Sequence, residues 1–242
     1  TIPSAAPATQ RPFVQRLTRG TWIYLATPRL RGLLAMNLAA ASTGAFVIVN
    51  TVVVVRVTYG LEDAQLALAM AAFGAGSMAA ALSLPRLLDH VRDRPVMQFA
   101  AFGLSGVTLA LGIVWHLSGP PAWPLFLCLW ALIGALYSAI LTPSGRLLRR
   151  SAHAEDRPAI FTAQFALSHL CWLVTYPLAG LAGEQLSLAV ALLLLGALAL
   201  ASSIAGLLLW REDGHAAVEH DHPDLPANHP HLKEFHGKRH HA

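Results

Sequence analysis

Charge is scarce in this sequence: 12% of its 242 residues are Asp, Glu, Lys or Arg, about half the share of an ordinary soluble domain. That shortage argues against a globular cytosolic enzyme. Cysteine is scarcer still, and both copies, Cys128 and Cys171, fall inside apolar blocks. Neither a disulfide framework nor a CxxC metal or redox site can be built from them. Signatures of intramembrane catalysis are missing as well, with no HExxH, no GxSxG and no paired Asp in any apolar block, so the chain reads as a non-enzyme. Nothing in it points to nucleic acid. The stretch before the first apolar block carries five arginines and no apolar run of its own, unlike a secretory signal. With Thr1 in place of an initiator methionine, the chain reads as a piece of something longer.

What the sequence has is apolar length. Apolar residues make up 55% of it, mean hydropathy is +0.51, and the excess is concentrated in blocks near the ~20 residues that a helix needs to cross a bilayer. Charge-free stretches bounded by charge, Gly or Pro predict spans at 33–55, 64–84, 96–115, 122–142, 159–183 and 186–210. These must be helices, because lipid offers no water to unpaired backbone groups and the runs lack the alternation of a barrel strand. The expected fold is therefore all-α and integral to a membrane. A basic cytoplasmic linker at 1–32 precedes the six-helix domain at 33–210, and a tail follows at 211–242. Gly74, Gly76, Ser77, Gly103, Ser105 and Gly106 sit within the second and third spans, where small residues let backbones approach closely.

Positive charge gives the orientation. Sixteen of the seventeen Lys and Arg residues fall before the first span, between the second and third, between the fourth and fifth, or after the sixth. Arg56 alone lies on the other side, with Glu62, Asp63 and Glu184. The expectation is a multi-pass protein of the cell inner (plasma) membrane with both termini in the cytoplasm.

The loop between the second and third spans reads Pro85-Arg86-Leu87-Leu88-Asp89-His90-Val91-Arg92-Asp93-Arg94. It resembles the G-x-x-x-D-R-x-G-R-R cytoplasmic loop of the major facilitator superfamily, with Asp89 on the motif Asp and Arg94 on its last basic position. Pro85, His90, Arg92 and Asp93 depart from that pattern, as is usual for the second half of such proteins. Thr142-Pro143-Ser144-Gly145-Arg146 through Arg157-Pro158 also resembles the family's basic loop after the fourth span. Over residues 29 to 211 the resemblance implies helices 7–12 of that fold, as two inverted three-helix repeats. It also implies a missing N-terminal six-helix half as partner, alongside the lipid bilayer, and a substrate cavity between the halves. Arg86, Asp89, Arg92 and Arg94 would then form a conformational loop whose ion pairs hold one state until the helices rock.

Polar residues inside spans are costly and so are candidates for the substrate pathway. The first span offers Asn37, Thr43 and Asn50, the last two sharing a face. In the fifth, Gln164, Ser168, Cys171 and Thr175 form one stripe, and Phe165, His169, Trp172 and Tyr176 an adjacent one. His169 could relay protons or ligate a metal. Pro177 frees a backbone carbonyl nearby. No Asp or Glu falls in any of the six spans.

From Gly214 the composition turns polar and Pro-punctuated, which reads as disordered. Eight of the twelve histidines lie there, namely His215, His220, His222, His229, His231, His236, His240 and His241. Dispersed among acidic residues, they would make a labile site for nickel or cobalt, with zinc a further candidate. No cofactor is expected to be tightly bound. The tail resembles that of the nickel and cobalt resistance exporters of the superfamily, and so implies metal efflux by proton antiport. The second reading is a drug or small-molecule exporter whose tail buffers metal incidentally, favoured by the aromatic, carboxylate-free lining.

Overall fold

In the computed structural model, residues 13–151 and 155–210 are described, together with 220–221 and 239–240. Six helices are long and apolar enough to cross a membrane. A short helix α1, Phe13–Ala26, comes before them. The membrane helices are α2 (Pro28–Val53), α3 (Asp63–Leu88), α4 (Asp93–Ser118), α5 (Trp123–Leu141), α7 (Arg157–Gln185) and α8 (Leu188–Leu209), with the short α6 (Ser144–Arg150) following α5. Arg211–Ala242 separates as a second unit. Within it His220–Asp221 pairs antiparallel with Arg239–His240.

Local sequence explains the boundaries. Pro28 opens α2 and Pro158 sits in the first turn of α7, where a missing N–H costs nothing. Ser187 caps α8 by accepting from the Val190 N–H at 3.2 Å. Gly119 ends α4 at φ 86°, a conformation that favours glycine. The last turn of α2 widens over Val54–Thr58 into a π-helical turn. Pro177 remains inside an unbroken α7.

Two boundaries differ from expectation. The stretch 1–32 reads as a basic linker, yet Phe13–Ala26 is helical and docks on α7 through the Arg19–Asp156 ion pair at 2.9 Å. Gly20 there meets the Ala159 backbone so closely that a Cβ would collide with it. The arginines hid an apolar period that buries Tyr24. The first span also starts earlier, at Pro28, and runs to Thr58.

The most extensive contacts are α3 with α5, α2 with α8, α4 with α8, α2 with α7 and α4 with α5. Exchanging the first three membrane helices for the last three maps this set onto itself: α3–α5 becomes α7–α2, α2–α8 becomes α5–α4, and α4–α8 returns to itself. Because each triplet has an odd number of crossings, the second starts from the surface opposite the first, which is an inverted repeat. Glycines close two of these seams. On α3–α5, Gly76 faces the Ala131 carbonyl and Gly134 faces the Phe73 carbonyl. On α4–α8, Gly112 faces Leu193 and Gly196 faces Leu109. Such contacts replace the water-driven packing that lipid cannot supply.

Helix α2 is the centre of the bundle, buried along most of its length, whereas α3 buries only Ala69, Leu84 and Leu88. At the arginine-rich end, Gly32 packs on Trp210 and Arg94 Nη2 donates to the Leu207 carbonyl at 3.4 Å. At the other end Tyr59 rests on Trp123 and Phe126 and donates its hydroxyl to the Pro121 carbonyl at 2.6 Å.

Candidate functional site

A polar cavity of about 120 Å³ lies where α2, α5 and α7 meet. Helix α2 supplies Asn37 beside Ala40 and Ala41, α5 supplies Tyr137 and Leu141, and α7 supplies Gln164, Ser168 and Trp172. The three α7 residues recur every four positions and so share one face. Ala40 and Ala41 leave the space that larger side chains would fill. The Trp172 ring holds the helices apart, since a Cβ on Gly44 would lie 2.7 Å from it.

Hydrogen bonding in this cavity is unfinished. Asn37 is 4% exposed, and neither its Oδ1 nor its Nδ2 has a partner among the described residues. Burying an amide without partners costs about 1–3 kcal/mol, which a bound polar group would offset. Gln164 is oriented from outside the membrane helices, its Oε1 accepting from the Tyr24 hydroxyl of α1. Burial pushes the Tyr24 hydroxyl well above the usual phenol range, so it stays a donor throughout the neutral range. Ser168 Oγ donates to the Phe165 carbonyl at 2.9 Å and keeps its lone pairs available. Trp172 lies 6.4 Å from Tyr137, edge to face, and 4.9 Å from Tyr176.

The other pathway candidates lie elsewhere. Thr43 Oγ1 is paired with Thr108 Oγ1 of α4 at 2.9 Å, and Asn50 Nδ2 donates to the Ala179 carbonyl of α7 at 3.1 Å. Both are buried ties between helices. His169 is on the exposed side of α7, its Nδ1 donating to the Phe165 carbonyl at 2.7 Å and its ring 4.0 Å from that of Phe165. Tyr176 is half-exposed beside Trp172. Among the described residues no three His, Cys, Asp or Glu side chains come together as a metal site. His215, His222, His229, His231, His236 and His241 lie outside the described residues, while His220 and His240 stand opposite one another in backbone register.

The loop network centres four residues beyond the motif Asp. Asp93, 7% exposed at the start of α4, accepts from Arg146 Nε at 2.9 Å and from its Nη2, and Arg150 stands 3.6 Å away. Arg146 Nη1 also donates to the Leu88 carbonyl at 3.0 Å. Arg86 and Asp89 are exposed, and Arg92 occupies the extended position just before α4 without a side-chain capping bond. The signal that locates Asp93 is its position in the first turn of a helix with Pro95 just after it. Tyr137 belongs to the aromatic lining that the sequence leads one to expect, whereas Tyr24 is not among the expected pathway residues. The position of Tyr24 follows only from the docking of α1.

Residues 32–239 match the family model of the Major Facilitator Superfamily. No curated protein and no solved structure is significantly similar to the chain.

Proposed function

Since the chain belongs to the major facilitator superfamily, we propose that it forms the C-terminal six-helix half of a secondary active transporter. In this reading it exports small organic molecules carrying hydrogen-bonding and aromatic groups. The observation that carries the substrate class is the cavity lining. Its residues carry two amides, two hydroxyls and two aromatic side chains, with no carboxylate or imidazole. Asn37 would supply one donor and one acceptor to the substrate, Ser168 and Gln164 further polar contacts, and Trp172 and Tyr137 faces for stacking. A bare dication would require oxygen charge or imidazole that this lining lacks. An N-terminal six-helix half would close the other wall, and rocking of the two halves would open the cavity to either side. The plasma membrane with both ends cytoplasmic fits the clustering of positive charge at one end of the bundle.

The second reading, nickel or cobalt export by proton antiport, is favoured by the eight tail histidines. One experiment separates the two. Cells expressing the full-length protein are scored for retention of an aromatic dye and for nickel and cobalt content, with and without residues 212–242. Lowered dye retention with unchanged metal content supports the first reading, and an Asn37→Leu substitution should restore dye retention. Lowered metal content that weakens on tail removal, with dye retention unchanged, supports the second.

A further inference from the structure

A second hollow lies on the outer side of the α2–α7 pair, away from the polar cavity. It is a groove of about 470 Å³ between α1, α2, α7 and α8, with walls from Leu34, Leu38, Leu167, Leu170 and Val174 and a single charged residue, Arg31. From Leu167 to Val174 it follows α7 for about 10 Å, at 1.5 Å per residue. Arg31 is exposed and has no carboxylate partner among the described residues. The groove is therefore an apolar trough that Arg31 lines with its aliphatic stem, its uncompensated guanidinium lying off the trough surface.

We propose that an anionic phospholipid occupies this groove, its phosphate on the Arg31 guanidinium and the upper part of an acyl chain along Leu34, Leu38, Leu167 and Val174. Three observations favour that occupant. A guanidinium matches phosphate oxygens in a bidentate fork. A zwitterionic headgroup would bring its own ammonium to a site that already has unbalanced positive charge, whereas an anionic one neutralises it. Helix α1 also presents Trp22 and Leu25, 74% and 43% exposed, on one face beside the groove. Tryptophan in that position is suited to the boundary between water and hydrocarbon, which sets Arg31 at headgroup depth.

The full chain is purified in mild detergent and examined by native mass spectrometry with phosphatidylglycerol and phosphatidylcholine of identical acyl chains. The expected result is retention of one phosphatidylglycerol, favoured over phosphatidylcholine by about tenfold. Arg31→Gln should remove the preference and leave phosphatidylcholine retention unchanged. Leu170→Trp, which fills the trough at an exposed position, should lower retention of both lipids while circular dichroism stays the same. Equal retention of the two lipids by the unaltered protein overturns the proposal, as does a preference that survives Arg31→Gln. If the preference appears only after residues 212–242 are removed, the tail is the native occupant and the proposal also fails.

Discussion

The seams α3–α5 and α2–α7 are counterparts under the exchange of the two triplets, yet one is shut and the other is hollow. On α3–α5, Gly76 and Gly134 each meet a backbone carbonyl of the opposite helix. On α2–α7, Gly44 meets the Trp172 ring and Gly183 meets Asn50 Oδ1, 2.5 Å from where a Cβ would stand. Backbone against backbone leaves no room. Backbone against side chain sets a spacing that the side chain chooses, and here Trp172 chooses one wide enough for Asn37, Gln164 and Ser168. One topology thus yields a closed wall and a hollow one, and the difference is a matter of which atoms face the glycines.

The largest expected effect comes from forcing the shut seam open. Gly134→Leu should drive α3 from α5 and cost about 3 kcal/mol or more, read as lost folded yield and a lower Tm in detergent. Gly74→Ala, at a position with nothing within 4 Å of its Cβ, should leave both unchanged. If the two variants behaved alike, the glycine contrast would not explain the seams.

A smaller effect separates two asparagines on α2. Asn50→Leu removes a bond that is already made and should cost about 1–3 kcal/mol, whereas Asn37→Leu removes an amide whose hydrogen bonds are unmade and should be neutral or stabilising. Thermal unfolding of the two variants side by side tests this. The reverse order would mean that Asn37, not Asn50, holds the hollow seam together.

The smallest is a pH dependence. Tyr24 ties α1 to Gln164 at the hollow seam, and burial raises its hydroxyl in the fold above the ordinary value of about 10. A raised folded value means that the bond lends its full stability below about 10, and that this contribution, about 1 kcal/mol, fades as pH rises through the raised value. Tyr24→Phe should therefore lower Tm by the same amount from about pH 6 to pH 9, with the gap narrowing only in strong alkali. A gap that closes near neutrality would contradict the burial of this hydroxyl.

The six membrane helices could be read from the sequence because each is a long run without charge, and lipid permits such a run one conformation. Helix α1 could not, since its arginines mask the residues that it buries on α7. The cavity was partly legible. Gln164, Ser168 and Trp172 announce a polar face by their spacing, and Asn37 by its cost. Thr43 and Asn50 carry the same cost and the same sequence signal, but whether a buried polar group is spent on a neighbour or left unmade depends on which helix lies opposite, and spacing within one helix says nothing of that. The family match supports the facilitator layout. His169 looked like a relay for its depth alone, and its rotation about α7 takes it out of the lining.

Arg146 has a further consequence. With Asp93 of α4 on one side and the Leu88 carbonyl at the end of α3 on the other, it fastens the last turn of the first triplet's hairpin to the segment that leads into α7. A tilt of α3 and α4 would therefore carry α6 with it, since Arg146 and Arg150 of that helix both stand on Asp93. A single guanidinium thus spans the boundary between the two repeats, with the first triplet's hairpin on one side and a helix of the second on the other.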